Sequence, residues 1–265
     1  MATMKDLNDS IAATYNIENR GVCQLFARYI IDVAPPITST SIIHDNACGP
    51  AIVTSEILST GSKTAAPSKI EATDLSPQMI KAAEEAVQAY NWKIVNATVQ
   101  NSEKLFFEND TFSHSFTNFL VPRTPASSSE IHRTLKPGGT AIYTAWKLHG
   151  FIDIMKRCRE AIPVKSVAMP SPPSPTKDSL TEEFLAAGFL KDDIEIHSHC
   201  VMFPFEDLND LQNFADGPFG KFLTKSWSAE EVEQLPEAIG KVLTGEELER
   251  KSLEMEAWIV VAKKP

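Results

Sequence analysis

Cysteine is scarce in this chain: four in 265 residues, at positions 23, 48, 158 and 200. No pair has metal-ligand spacing, and the six histidines form no H-E-x-x-H pattern. A disulfide scaffold and a zinc-ribbon site are therefore excluded, and reduced thiols in the cytoplasm are expected. Basic residues are outnumbered, 25 Lys and Arg against 35 Asp and Glu, for a net charge of −10. Nucleic acid is not expected as a partner, because phosphate binding needs a basic surface. Long apolar runs are missing too. No stretch approaches the roughly 18 residues of a membrane span. The opening MATMKDLNDS lacks the basic patch and apolar run of a secretory leader. Glycine numbers only 11, and no G-x-G-x-x-G is present. That argues against a dinucleotide site, whose backbone must approach a pyrophosphate closely.

What is present is periodic. Residues 1–37 read as a helical cap: VCQLFARYIIDVA places Val22, Leu25, Phe26, Tyr29 and Ile30 at helical spacing, and Pro35-Pro36 ends it. Strands and helices then alternate. SIIHD, KIEATD, KIVNATV, FSHSFTNFLV and TAIYTAW read as five strands. Between them AIVTSEIL, SPQMIKAAEEAVQAY and SSSEIHRTL read as helices, with Ser76 as N-cap and Pro77 at the first helical position of the second. KPGG reads as a turn. This alternation predicts a mostly parallel sheet with helices on both faces and ligand loops along one rim. IEIHSHCVMF and MEAWIVVAKK add two late strands, making seven. Residues 38–205 and 251–265 are thus the expected core. The Pro/Ser-rich run after FIDIMKRCREAI reads as a loop, and 206–250 as a helical insertion, a lid over the rim.

HDNACGPA, residues 44–51, lies where the first strand hands over to a helix. A strand, a tight turn and a helix N-terminus form a generic anion or nucleotide site, or simply a turn. The glycines of a dinucleotide fingerprint would fall at Ala47, Gly49 and Ile52, so the pattern fails twice. Pro50 removes an amide, and Asp45 would repel an anion. A zwitterion such as S-adenosylmethionine suits the loop better, since Asp45 can attract its ammonium group. Asp74, at the end of the second strand, offers two carboxylate oxygens to a ribose diol; with Ser76 taking the capping role, Asp74 is expected to be free.

Asp45-Asn46-Ala47-Cys48-Gly49-Pro50-Ala51 resembles the first motif, D/E-x-G-x-G-x-G/A, of class I S-adenosylmethionine-dependent methyltransferases. The DNACG form is similar to that of fungal secondary-metabolite methyltransferases of the gliotoxin S-methyltransferase type. The resemblance spans about residues 40–146 and implies a Rossmann-like α/β fold binding S-adenosylmethionine. It places Ala47, Cys48 and Gly49 around the amino-acid tail, Asp74 on the ribose, and Leu75 and Met79 beside the adenine. Asn101 and Ser102 stand where the family commonly has an acid and a small residue, and an amide oxygen there can accept from the adenine amino group. Asn118, Phe119 and Leu120 would lie beside the reactive methyl. Tyr15, with Arg20, would fold over the cofactor. LKPGGTAIYTAW resembles the family's fifth-strand segment.

The implied reaction is methyl transfer to a small, largely apolar molecule through an O, S or N acceptor, in secondary metabolism. Holding the partners in line supplies much of such a rate. An oxygen acceptor would want a base, and His149, beside Trp146 after the fifth strand, is the candidate. His44 and His114 fall within strands, His132 is expected to be exposed, and Arg123 could reach substrate. Phe151, Met155, Met169, Phe203, Phe205, Phe214, Phe219, Phe222 and Trp227 could line an apolar pocket. The alternatives are a methyltransferase-like protein that catalyses a non-methylating cyclisation or rearrangement, a non-catalytic subunit, and, most distantly, an NAD-dependent oxidoreductase.

Overall fold

Three short helical segments precede the first strand: α1 (Met4–Ile11), a single 3-10 turn leading into α2 (Tyr15–Glu18), and α3 (Val22–Val33). The computed structural model describes residues 3–59, 65–163 and 174–265. The sheet and its crossovers follow in order: β1 (Ile42–Asn46), α4 (Ile52–Ser59), β2 (Lys69–Asp74), α5 (Pro77–Ala89), β3 (Val95–Val99), β4 (Phe112–Asn118), α6 (Pro125–Thr134), β5 (Leu135–His149), α7 (Gly150–Ala161), α8 (Lys177–Ala187) and β6 (Ile194–Pro204). Five helices lie between β6 and the last strand: α9 (Leu208–Ala215), α10 (Pro218–Leu223), α11 (Ala229–Glu233), α12 (Leu235–Val242) and α13 (Gly245–Arg250). The last strand is β7 (Ser252–Lys263).

The seven strands run in the order β3-β2-β1-β4-β5-β7-β6. β1 pairs in parallel with both β2 and β4, and β4 in parallel with β5. Of the seven, only β7 runs against the common direction, antiparallel to both β5 and β6. The winding reverses between β1 and β4, which opens a crevice beyond their carboxyl ends.

Alternate residues along the strands feed two cores. Ile43, Phe116 and Ile142 join α3, α4 and α7 on one face, with Phe26 fully buried among them. Phe112 and Tyr143 join Ile131, Leu180 and Phe184 of α6 and α8 on the other. Each such large side chain contributes about 1.5–3 kcal/mol by leaving water. The expected capping of α5 is present: Ser76 Oγ accepts from the Met79 amide at 3.1 Å, and Pro77 occupies the first turn.

KPGG is not a turn before the fifth strand but an irregularity within it. Phe112 pairs with Leu135 and His114 already with Thr140, so the intervening residues bow outward. Gly138 has φ +77°, and a Cβ on Gly139 would lie 2.9 Å from Lys136 O. Of the Pro/Ser-rich run, residues 164–173, including Met169, lie outside the described residues.

Candidate active site

The loop from Asp45 to Ala51 explains its own motif. Ala47, Gly49 and Ala51 have φ of +53°, +54° and +64°, and these are the three glycine positions of D-x-G-x-G-x-G. The spacing therefore encodes a run of alternate left-handed residues, two of which are here alanines. An L-residue in that region costs about 1–2 kcal/mol. Ala47→Gly is accordingly expected to raise stability by about 1 kcal/mol, net of glycine's larger entropy when unfolded, as read from denaturant unfolding.

The turn consumes its own amides. Cys48 N donates to Thr73 O, Gly49 N to Asp74 Oδ2, and Ala51 N and Ile52 N both to Cys48 O, at 2.9–3.4 Å. Residue 50 is proline, so residues 48–52 keep no amide for a pyrophosphate. Unsatisfied acceptors remain instead. Asp45 is 1% exposed; its Oδ2 accepts from Thr54 N at 3.0 Å and Thr54 Oγ1 at 2.7 Å, while Oδ1 has no partner among the described residues. Burial pushes its carboxyl up to about 6. The next residue, Asn46, donates to Thr117 Oγ1 at 3.1 Å and leaves its own buried oxygen unpartnered. An orphaned buried acceptor costs about 1–3 kcal/mol. Two of them lie at the carboxyl end of β1, and the Asp45 oxygen, as a carboxylate, would be satisfied by a cationic donor such as an ammonium group.

Asp74 is not free, contrary to expectation. Oδ2 accepts from Gly49 N at 3.0 Å and Oδ1 from Ser76 N at 2.8 Å, so it ties the loop to the start of α5. A carboxylate has about four acceptor sites, which leaves capacity for a ribose. Burial raises its pKa, with nearby Asp9 adding to the effect against several backbone hydrogen bonds. Asp9, on α1, accepts from the Ser76 hydroxyl, which brings the N-terminal segment over this rim. Tyr15 lies there as well, its hydroxyl 3.8 Å from Cys23 Sγ. Cys23, burial and, more weakly, Asp74 push Tyr15 well above the usual phenol range, so it is neutral.

The two candidate adenine contacts separate. Leu75 is 51% exposed, whereas Met79 is buried, its Sδ 4.0 Å from where a Gly49 Cβ would be. Two further exposed apolar side chains, not anticipated from sequence, follow the neighbouring strand: Val99, paired in register with Asp74, and Phe106, 77% exposed. Gln100 holds this corner, donating to Thr98 Oγ1 and accepting from Phe106 N at 3.0 Å. An apolar residue closing the third strand and a phenylalanine in a polar loop were the available signals. Asn101 is exposed and its Oδ1 accepts from Glu103 N at 2.9 Å, a local turn that competes with an adenine amino group. Ser102 is half-buried in the same turn.

At the end of β4, Asn118 accepts from Thr144 Oγ1 and donates to Cys23 O, both at 3.1 Å, which closes α3 onto the rim. Phe119 has φ +66° and stacks on Trp146 with ring centres 3.7 Å apart. His149 does not stand as a base. It is the N-cap of α7, with Nδ1 accepting from Ile152 N at 3.5 Å, its ring edge-on to Trp146 and tilted against Phe219. Burial pushes it down to about 4. With Nδ1 accepting from the start of α7, that lone pair is turned to the helix.

Three other histidines are held by their neighbours. His44 is buried, 2.9 Å from Thr73 Oγ1 and stacked on Phe112. His114 contacts Pro35 O at the far end of the sheet, and His132 is half-buried against Phe189 rather than exposed. Arg123 pairs with Glu183 at 3.1 Å on α8. Of the aromatic side chains of the variable segments, Phe151, Phe203, Phe205, Phe222 and Trp227 are buried, with Met155; Phe214 and Phe219 are only partly so.

Arg20 does not cover the cofactor rim. It grips Asp210 on α9 with both guanidinium arms at 2.6 and 2.9 Å, reaches Pro204 O at 2.9 Å, and lies 5.0 Å from the ring centres of Phe203 and Phe214. The N-terminal segment and the inserted helices are thereby fastened together. Arg20→Ala should cost about 2 kcal/mol, and the Arg20–Asp210 double-mutant cycle in urea should show coupling above about 0.5 kcal/mol.

Comparison with known proteins bears on the same segment. Residues 43–139 match the family described as "Methyltransferase domain". Residues 43–139 are thus similar to a methyltransferase domain. Over 142 residues it is 29% identical to methyltransferase tpcH of Aspergillus fumigatus, covering 51% of this chain and 50% of that protein. Over 143 residues it is 29% identical to the acetylaranotin bis-thiomethyltransferase of Aspergillus terreus, covering 52% and 48%. The matches thus span about half the length of these curated relatives. Among solved structures, a phosphoethanolamine N-methyltransferase 2 of Haemonchus contortus, in complex with phosphomonomethylethanolamine and S-adenosylhomocysteine, superposes with TM-score 0.61 at 16% identity, covering 100% of this chain and 61% of that one. The [4+2]-cyclase SpnF superposes at 0.53 and 16% identity, covering 91% and 81%. The fold is the Rossmann-like methyltransferase fold. No helix among the described residues is long and apolar enough to cross a membrane.

Proposed function

We propose that this domain binds S-adenosylmethionine and methylates a small, largely apolar molecule, in secondary metabolism and in the cytoplasm. The observation that carries this is the loop at the end of β1: it has spent its amides, so it suits no pyrophosphate, and it presents the unpartnered Asp45 Oδ1 to a cation. In this reading Asp45 and the Ala47–Cys48–Gly49 bend hold the ammonium end and Asp74 the ribose. Leu75, Val99 and Phe106 flank the adenine, and Met79 supports the bend from beneath. Asn101 and Ser102 lie at the adenine edge, and Tyr15 closes the crevice. Residues 1–37 act as cap and 206–250 as lid over the core.

When bound, the cofactor supplies a methyl group activated on a sulfonium. The protein's part is to hold and to exclude water. His149 caps a helix and Tyr15 is held neutral, so neither supplies a base beside Phe119 and Trp146. An acceptor that brings its own nucleophile, such as a thiolate, fits this better than an alcohol. The bis-thiomethyl activity named for one relative supports the same preference. A net charge of −10 speaks against a nucleic-acid acceptor.

Incubation with methyl-labelled cofactor and a panel of apolar thiols, phenols and amines tests the proposal. Label is expected in thiols first. Tight cofactor binding with no label in any class would favour the cyclisation reading instead.

A further inference from the structure

We propose that Phe119 and Trp146 form a stacking platform for a planar aromatic acceptor; this rests on the methyl-transfer reading above. The platform stands where β4 ends, beside β1 at the point where the sheet's winding reverses. Phe119 holds a left-handed backbone, φ +66°, which a bulky aromatic residue rarely adopts. Two hydrogen bonds fix it there: Phe119 N donates to Thr144 Oγ1 at 2.9 Å, and Thr144 Oγ1 donates to Asn118 Oδ1 at 3.1 Å. A strained residue held by its neighbours at a strand end points to a functional demand on its side chain.

That side chain is a ring laid flat on another ring. Phe119 and Trp146 are 6° from parallel, with centres 3.7 Å apart. Phe26, fully buried, braces both edge-on at 5.0 and 5.5 Å. Unlike Phe26, the stacked pair is only partly buried. Of the polar groups around it, Asn118 is committed to Cys23 and Thr144, and His149 Nδ1 to the start of α7. The stacked rings favour a π-system over a saturated skeleton of the same size. Aromatic pairing adds about 0.5–1.5 kcal/mol per pair beyond buried area, so the expected preference is about two- to thirteenfold.

The test compares 2-naphthol with trans-decahydro-2-naphthol, two probes of one skeleton, by equilibrium dialysis against the protein with and without S-adenosylhomocysteine. Wild-type protein should prefer 2-naphthol by at least about twofold. Phe119→Leu, which keeps apolar volume and loses the ring, should bring that ratio close to one, as should Trp146→Leu on the neighbouring strand if the first variant folds poorly. In turnover, the KM for 2-naphthalenethiol should rise in either variant. Equal binding of the two probes to wild type, or a preference that survives both substitutions, overturns the platform. A preference lost in the variants while S-adenosylhomocysteine itself fails to bind supports the platform and overturns the cofactor reading.

Discussion

Asp74→Ala should weaken binding of S-adenosylhomocysteine about a hundredfold. A hydrogen bond to a charged group contributes about 1.5–3 kcal/mol, and the proposed ribose contact uses both carboxylate oxygens. The same oxygens hold Gly49 N and Ser76 N, so the substitution also releases the cofactor loop from α5. Asp74→Asn separates the two roles. It keeps one acceptor oxygen, turns an NH2 toward either the Gly49 or the Ser76 amide, and should fall between wild type and alanine. Calorimetric titration reads the affinity, and thermal unfolding reads the loop. An unchanged affinity in Asp74→Ala would remove the ribose assignment.

Cofactor affinity should also depend on pH through Asp45. Burial raises this carboxyl from 3.8 to about 6 in the protein without ligand. A bound ammonium group beside the unpartnered Oδ1 favours the ionised form and lowers that value again. Binding therefore releases a proton below about pH 6, and affinity for S-adenosylhomocysteine should fall by up to tenfold per unit as pH drops from 6 toward the pKa of the complex. Above pH 6 Asp45 is already ionised and this dependence vanishes. Asp45→Asn should bind weakly and without the acid-side slope. Stability of the empty protein moves the other way: neutral Asp45 is the comfortable form, and its contribution, full below pH 3.8, is lost as pH rises through 6. A flat affinity profile between pH 5 and 7 would show that no cation sits beside Asp45.

Much of the fold could be read from the chain because its determinants are local. Strands such as KIEATD carry their periodicity in consecutive residues, and β2 spans those same six positions. The Ser76-Pro77 start of α5 is a local signal with a local structure. The loop's spacing likewise announced itself, although only the φ angles show why positions 47, 49 and 51 matter. What depends on distant partners was not legible. Asp74 looked available because its bond to Gly49 crosses 25 residues. His149 is a different case: its partner, Ile152 N, is only three residues on, but histidine is an uncommon N-cap and the sequence does not show that its ring turns back onto the start of α7. Arg20 was assigned to the cofactor rim, but Asp210, 190 residues away, decides its place. The interval from 100 to 111, without a helix, leaves Phe106 exposed where only the assembled β2–β3 corner gives it a purpose.

The most direct measurement is a parallel titration of the wild-type protein with S-adenosylhomocysteine and with NAD. The account requires saturable one-to-one binding of the sulfur nucleoside, abolished or greatly weakened by Asp74→Ala, and no binding of the dinucleotide. Heat from NAD alone, or from neither, would contradict it.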